Sequence, residues 1–132
     1  MDKFLQKFRS GMLPPADASA IDFAEAMLAN AGAPGVPDEY RAFLLRSDGF
    51  THGGAEFFGT KAANLAAGYK FPGIADMNKG PAGRLRIGSL FVDSAYYVPA
   101  RGYEIVSDIS GETVTPFQTF GGFLEWLCAN IR

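Results

Sequence analysis

Apolar residues recur at helical spacing in four segments of the chain, residues 2–12, 19–31, 37–46 and 120–131. The last segment is the most regular, and its apolar stripe consists of Phe120, Phe123, Leu124, Leu127, Cys128 and Ile131. Thr119 precedes this stripe and is the predicted N-cap. The pattern predicts a C-terminal amphipathic helix that packs on a sheet.

The first two segments predict two further helices. Residues 2–12 place apolar side chains on one face, and we expect this helix to dock on the core, with a peripheral position for residues 1–15 as the alternative. In the second segment Ser19 and Asp22 resemble a capping box. The apolar stripe of that segment consists of Ile21, Ala24, Met27, Leu28 and Ala31. The short loop that follows predicts an αα-hairpin with the third segment.

The third segment predicts a short helix, an abrupt stop and a strand. Pro37 suits a helix start because its ring holds φ near the helical value. The apolar face of the helix consists of Tyr40, Phe43 and Leu44. Asp48 and Gly49 tolerate a left-handed backbone and are predicted to end the helix. Residues 56–58 are aromatic and lie between glycines, which is typical of a strand.

From Leu85 onward the apolar period changes to two, which predicts strands. Residues 95–98 and 103–107 are separated by four residues and predict a hairpin, and residues 114–117 predict a last strand. Consecutive short strands with tight turns indicate an antiparallel meander. The chain is therefore predicted to be an α+β fold, with helices packed on one side of a bent, mainly antiparallel sheet.

The segment between Gly59 and Arg84 has a less regular pattern. The composition of residues 62–67 favours a helix, and residues 76–83 are predicted to be a loop. The run from Gly73 to Lys79 approaches a phosphate-binding loop, but Asn78 stands where the second glycine is required. We therefore reject a nucleotide site there.

Composition indicates one globular domain over residues 1–132, with 48% hydrophobic and 20% charged residues. A net charge of −2 is too small for the basic footprint of a nucleic-acid-binding protein. Cys128 is the single cysteine, which excludes an internal disulfide and favours a reducing compartment. The chain shows neither a signal-peptide pattern nor an apolar run of membrane-spanning length. We expect a cytoplasmic protein with no membrane or nucleic-acid partner.

His52 is the only histidine, which removes most nucleophile–base schemes and the usual zinc cages. It lies in a glycine-rich loop beside Asp48 and Glu56. One interpretation is a general base oriented by a carboxylate, and the other is an exposed loop histidine. The carboxylates Asp93, Glu104 and Asp108 lie in or beside one hairpin without a pattern that makes them converge. We predict no catalytic residue, no metal and no cofactor.

Three aromatic residues are candidates for a surface contact. Trp126 lies away from the apolar stripe of its helix, where it either covers the N-terminal helix or serves as an exposed anchor. Tyr96 and Tyr97 are adjacent in a predicted strand, so one of the two rings must face away from the core.

The order of short motifs resembles the signature of the SUKH superfamily, which comprises fungal cell-wall-assembly-regulator-like domains and bacterial toxin-immunity proteins. The resemblance extends from Ile21 to Leu127. The residues that carry it are Val36 to Tyr40, Phe43–Leu44, Asp48–Gly49, Phe57 to Gly59, Ile87–Gly88, Tyr103 to Asp108 and Phe117 to Leu124. Two features depart from the pattern, since Asp48 replaces the commoner Asn and the run from Leu90 to Val92 is more apolar than the expected polar loop.

The resemblance implies an α+β protein-binding module, and the residues of its fold signature are Pro37, Tyr40, Phe43, Leu44, Gly49, Gly59 and Gly88. It also implies an immunity protein that neutralises a bacterial polymorphic toxin by direct binding. The alternatives are a scaffold or regulatory module with a housekeeping partner, and a small ligand-binding domain or enzyme that uses His52. Our candidate partner-binding residues are Asp48, His52, Glu56, Asp93, Tyr96 and Trp126.

Overall fold

The computed structural model describes residues 1–61, 63–66 and 69–131. The helices are α1 (Asp2–Lys7), α2 (Ala18–Ala31), α3 (Asp38–Leu44) and α4 (Phe120–Asn130), with a 3₁₀ turn at Arg9–Gly11. The strands are β1 (Phe50–His52), β2 (Ala55–Phe57), β3 (Ala63–Ala66), β4 (Tyr69–Phe71), β5 (Leu85–Leu90), β6 (Asp93–Val98), β7 (Gly102–Ser107) and β8 (Thr113–Phe117).

The main sheet has six antiparallel strands in the order β1-β2-β5-β6-β7-β8. Each strand lies beside the preceding one, except that β3 and β4 form a separate hairpin between β2 and β5. The predicted α+β fold and the predicted meander are confirmed. The sheet is open, and bulges in β5–β6 and β7–β8 bend it.

The two faces of the sheet differ because side chains alternate along each strand. One cross-strand row consists of Leu85, Tyr97, Tyr103 and Phe117 and faces the core beneath the helices. The adjacent row consists of Arg86, Tyr96, Glu104 and Pro116 and faces away. Pro116 lies in the edge strand β8, where a residue without an N–H is tolerated.

Aromatic rings fill the core between the sheet and the helices. The Phe57 ring centroid lies 5.7 Å from that of Phe43 and 5.6 Å from that of Phe120. The buried Tyr40 hydroxyl donates a hydrogen bond to the Phe58 carbonyl at 2.5 Å. The Ile87 carbonyl lies 3.2 Å from the same hydroxyl. Burial raises the pKa of Tyr40 well above its usual value, so this hydroxyl remains a donor.

The N-terminal helix is part of this core. Phe4 and Phe8 are buried, and the Phe4 ring centroid lies 5.0 Å from that of Phe50 on β1. The Lys7 ammonium group donates a hydrogen bond to the Cys128 carbonyl near the end of α4. These contacts join both ends of the chain to the same layer of helices.

The prediction of a helix at residues 62–67 was wrong for Ala63–Ala66, which forms β3 and pairs with β4. Residues 62 and 67 lie outside the described residues. Alanine favours a helix only weakly, and pairing with a second strand outweighs that preference. The backbone pairing with the adjacent β4 reveals the strand.

The predicted start of α2 was also wrong. Asp17, rather than Ser19, is the N-cap, and its carboxylate accepts a hydrogen bond from the Ala20 amide at 2.8 Å. This hydrogen bond, with a second from the Ser19 hydroxyl, lowers the pKa of Asp17. The apolar stripe of α2 is narrower than predicted, because Met27 is exposed.

Other details of the strands also differ from the predictions. Strand β1 did not appear in the sequence pattern, and β6 begins at Asp93 rather than at residue 95. The hairpin loop between β6 and β7 has three residues rather than four, since Val98 pairs with Gly102. Ala100 in that loop has a positive φ of 68°, which composition does not reveal.

Candidate protein-binding surface

The six candidate partner-binding residues lie in different parts of the fold. His52 and Asp93 lie at the end of the sheet where β1 ends and β6 begins. Asp48 lies beyond the opposite end of β1, and Tyr96 lies on the sheet face away from the helices. The structure therefore does not bring the six residues into one site.

The Asp48 carboxylate has a structural role. Its carboxylate accepts hydrogen bonds from the Thr60 amide at 2.6 Å and from the Thr60 hydroxyl at 2.7 Å. The His52 ring lies 4.9 Å from the ring of Phe8 and 6.5 Å from that of Phe50. Asp48 thus links the end of the α3 turn to the segment after β2, and His52 packs beside the N-terminal aromatic residues.

We expect Asp48→Ala to lower the free energy of unfolding by about 2 kcal/mol, because it removes two hydrogen bonds to a largely buried carboxylate. Urea denaturation measures the change. Thr60→Val is the matched control, since it removes the hydroxyl but keeps the amide, and should cost less. Full additivity in the double variant would contradict a direct link between the two residues.

The remaining candidates have structural contacts on the sheet. Glu56 is half-buried on β2, in register with Thr51 and Ser89. The Arg84 guanidinium lies 3.8 Å from the centre of the Tyr96 ring. Of the adjacent tyrosines, Tyr97 packs against the core.

Trp126 lies against the edge of the sheet. Its ring is 6.0 Å from that of Phe117 on β8, and it is partly buried against the core. The sequence offered either a cover over the N-terminal helix or an exposed anchor. The position follows from the order of the strands, which brings β8 beside α4.

Three turns meet at the end of the sheet that carries His52 and Asp93, and they form what we call the turn tip: residues 53–54, 91–92 and 108–111. It exposes three large apolar side chains, at 66% for Phe91, 59% for Val92 and 84% for Ile109. Exposed apolar residues that lie together are typical of interaction surfaces.

Hydrogen bonds hold the turns of the turn tip together. The Phe91 amide donates to the Gly54 carbonyl at 2.8 Å, and the Asp108 amide donates to the Val92 carbonyl at 3.0 Å. The Asp108 carboxylate also accepts a hydrogen bond from the Ser94 hydroxyl at 2.6 Å. The exposed side chains are therefore presented by a fixed backbone.

The backbone of Phe91 has a strained conformation, which places its ring over Gly54. Its φ is 61°, in a region that a bulky residue rarely adopts. The ring covers Gly54, where a Cβ atom would lie 2.5 Å from Phe91 Cδ1. Such strain persists only where the surrounding structure imposes it, and it often accompanies function.

The sequence contained one signal for the turn tip, the unusually apolar run from Leu90 to Val92. The contribution of Ile109 could not be found that way, because only the β5–β6 and β7–β8 turns together create the patch. In the described part of the chain, no group of three or more His, Cys, Asp or Glu residues is placed to hold a metal ion. The same residues contain no helix of the length and apolarity that crossing a bilayer requires.

Comparisons with protein-family models, curated proteins and solved structures found no significant match to this chain. The fold and the turn tip define an α+β domain with an exposed apolar surface. Membership of the SUKH superfamily stays a prediction based on the ordered motifs.

Proposed function

We propose that this chain is a non-enzymatic, SUKH-like immunity protein that neutralises a bacterial polymorphic toxin by direct, stoichiometric binding. The order of the motifs supports the family, and the turn tip supports a macromolecular partner. Occlusion of the toxin's active site requires only a stable contact and no chemistry by this chain.

The observation that carries the proposal is the preorganised apolar surface of the turn tip. A binding residue that is already fixed loses little conformational entropy on association, so more of its burial contributes to affinity. Exposed aromatic residues held in this way are typical of the few side chains that dominate protein–protein binding. Phe91 is the expected centre of the contact.

The partner is identified by affinity purification from the source cells with mass spectrometry, followed by co-expression with the toxin domain recovered. We expect rescue of growth and a complex of equal stoichiometry that survives gel filtration. Rescue without a physical complex would contradict direct binding. Recovery of housekeeping proteins and no toxin domain would favour the scaffold alternative.

The contribution of the turn tip is tested with the variant Phe91→Asn/Ile109→Ser. Asparagine tolerates a positive φ, so the variant should fold while it loses the apolar surface. We expect affinity for the toxin domain to fall at least about tenfold, measured by calorimetry.

The matched control is Phe23→Ser/Met27→Ser on α2. Phe23 is 69% exposed, similar to Phe91, but lies on a helix remote in sequence from the turn tip. We expect this control to bind as tightly as the natural sequence. The reverse outcome, with α2 essential and the turn tip dispensable, would place the interface on α2.

A further inference from the structure

A cavity of about 340 Å³ lies at the end of the sheet opposite the turn tip. It is open to solvent and is bordered by the start of α3 and by the β6–β7 turn. The residues that give it chemical character are Asp38, Glu39, Tyr97, Tyr103 and Gln118. Its volume falls within the usual range of ligand pockets.

The Tyr103 hydroxyl is the unusual group in this cavity. Tyr103 is only 3% exposed, and its hydroxyl oxygen is buried without a hydrogen-bond partner among the residues that the structure describes. A buried polar group in this state costs free energy until it is paired. A ligand that pairs it therefore binds more favourably than contact area alone would suggest.

The surroundings of this hydroxyl are negative. Burial, followed by the charge of Glu39 and then by Tyr97 and Asp38, raises the pKa of Tyr103 well above its usual value. Asp38 and Glu39 line the same cavity as Tyr103. Asp38 and Glu39 are exposed, so solvent and a ligand can reach the negative side of the cavity.

The contacts around the cavity keep it negative. The Glu39 carboxylate accepts a hydrogen bond from the Phe120 amide at 3.1 Å, which fixes its position. Arg101 borders the cavity, but its guanidinium lies 3.8 Å from the Glu104 carboxylate on the outer face of the sheet. The ion pair of this cation is therefore with Glu104.

We propose that this cavity binds the side chain of an arginine residue of a protein partner. A guanidinium group donates hydrogen bonds in several directions in one plane and stacks on aromatic rings. It can therefore pair with the two carboxylates and lie against the Tyr97 ring, and it can donate to the buried Tyr103 oxygen after a small movement of the side chains that cover it. This goes beyond the proposed function and does not depend on it, because the cavity and the turn tip lie at opposite ends of the sheet.

The test is an NMR titration of the full chain with N-acetyl-argininamide. We expect saturable shifts of the backbone amides of Tyr97, Gly102, Tyr103 and Gln118. N-acetyl-citrullinamide has nearly the same shape without the charge and should give no saturable shift. N-acetyl-lysinamide should bind more weakly, and equal binding would overturn the assignment to a guanidinium.

Two variants separate binding from structure. Asp38→Asn should weaken argininamide binding roughly tenfold, because a charged hydrogen-bond acceptor is lost. Tyr103→Phe should also weaken it without lowering the melting temperature, since the hydroxyl removed has no partner among the described residues. Glu112→Gln removes a charge in the remote β7–β8 turn and should leave binding unchanged.

The absence of saturable shifts, or equal binding by citrullinamide, would overturn the proposal. So would argininamide affinity unchanged in both Asp38→Asn and Tyr103→Phe. None of these results affects whether a toxin binds at the turn tip, so failure of this inference is distinguishable from failure of the proposed function.

Discussion

Replacing Phe57 with alanine is expected to lower the free energy of unfolding by about 4 kcal/mol. Phe57 is fully buried on β2, and its ring lies close to aromatic rings from several elements. The rings within 6.2 Å of its centroid are those of Phe4, Tyr40, Phe43, Phe50, Phe120 and Phe123. These belong to α1, α3, α4 and β1, so the cavity left by alanine would lie where all layers meet.

Equilibrium urea denaturation followed by circular dichroism measures this loss. Phe91→Ala is the matched control, because the same atoms are removed from an exposed ring, and it should change stability by less than about 1 kcal/mol. A loss at Phe57 no larger than that at Phe91 would contradict the aromatic core described above. The contrast also separates a residue that stabilises the fold from one that is available to a partner.

Gly59→Ala is expected to lower the free energy of unfolding by about 3 kcal/mol, through steric overlap alone. A Cβ atom at this position would lie 2.2 Å from the Asp48 carbonyl oxygen and 2.5 Å from its carboxylate. The first contact is with backbone, which cannot rotate away. Because Gly59 does not have a positive φ, the result would report close approach of two chain segments rather than backbone strain.

Gly80→Ala is the control for this substitution, since a Cβ atom there has no heavy atom within 4 Å. We expect its melting temperature to match that of the natural sequence within a few degrees. Gly59→Ala should melt well below it. Equal melting temperatures would show that Asp48 and Gly59 are not in the close contact described.

The same contact explains why the neighbourhood of Asp48 was difficult to interpret from sequence. Asp48, His52 and Glu56 are close along the chain, which favoured a shared chemical role. The fold instead assigns Asp48 to the Thr60 backbone and His52 to the Phe8 ring. The closeness of these residues along the chain did not predict a shared site, because β1 runs between Asp48 and His52.

Features with local causes were predictable. The stripe from Phe120 to Leu127 lies on the buried face of α4, and the Thr119 hydroxyl accepts a hydrogen bond from the Gly122 amide at 3.0 Å. The alternation in β5 to β7 likewise predicted strands with two unlike faces. In each case the signal lies within a few residues, because helix capping and side-chain periodicity are properties of neighbouring residues.

The sequence by itself thus determined the class of fold, the meander and the buried face of the last helix. Only the tertiary structure decided that Ala63–Ala66 is a strand, that three turns join into the turn tip, and that Tyr103 lines one cavity with the acids of α3. The turn tip and the position of Tyr103 depend on contacts between segments far apart in the chain, whose energies arise only when the backbone brings the segments together, whereas the strand depends on backbone pairing with the adjacent β4. Local residue preferences are too weak to indicate such contacts in advance.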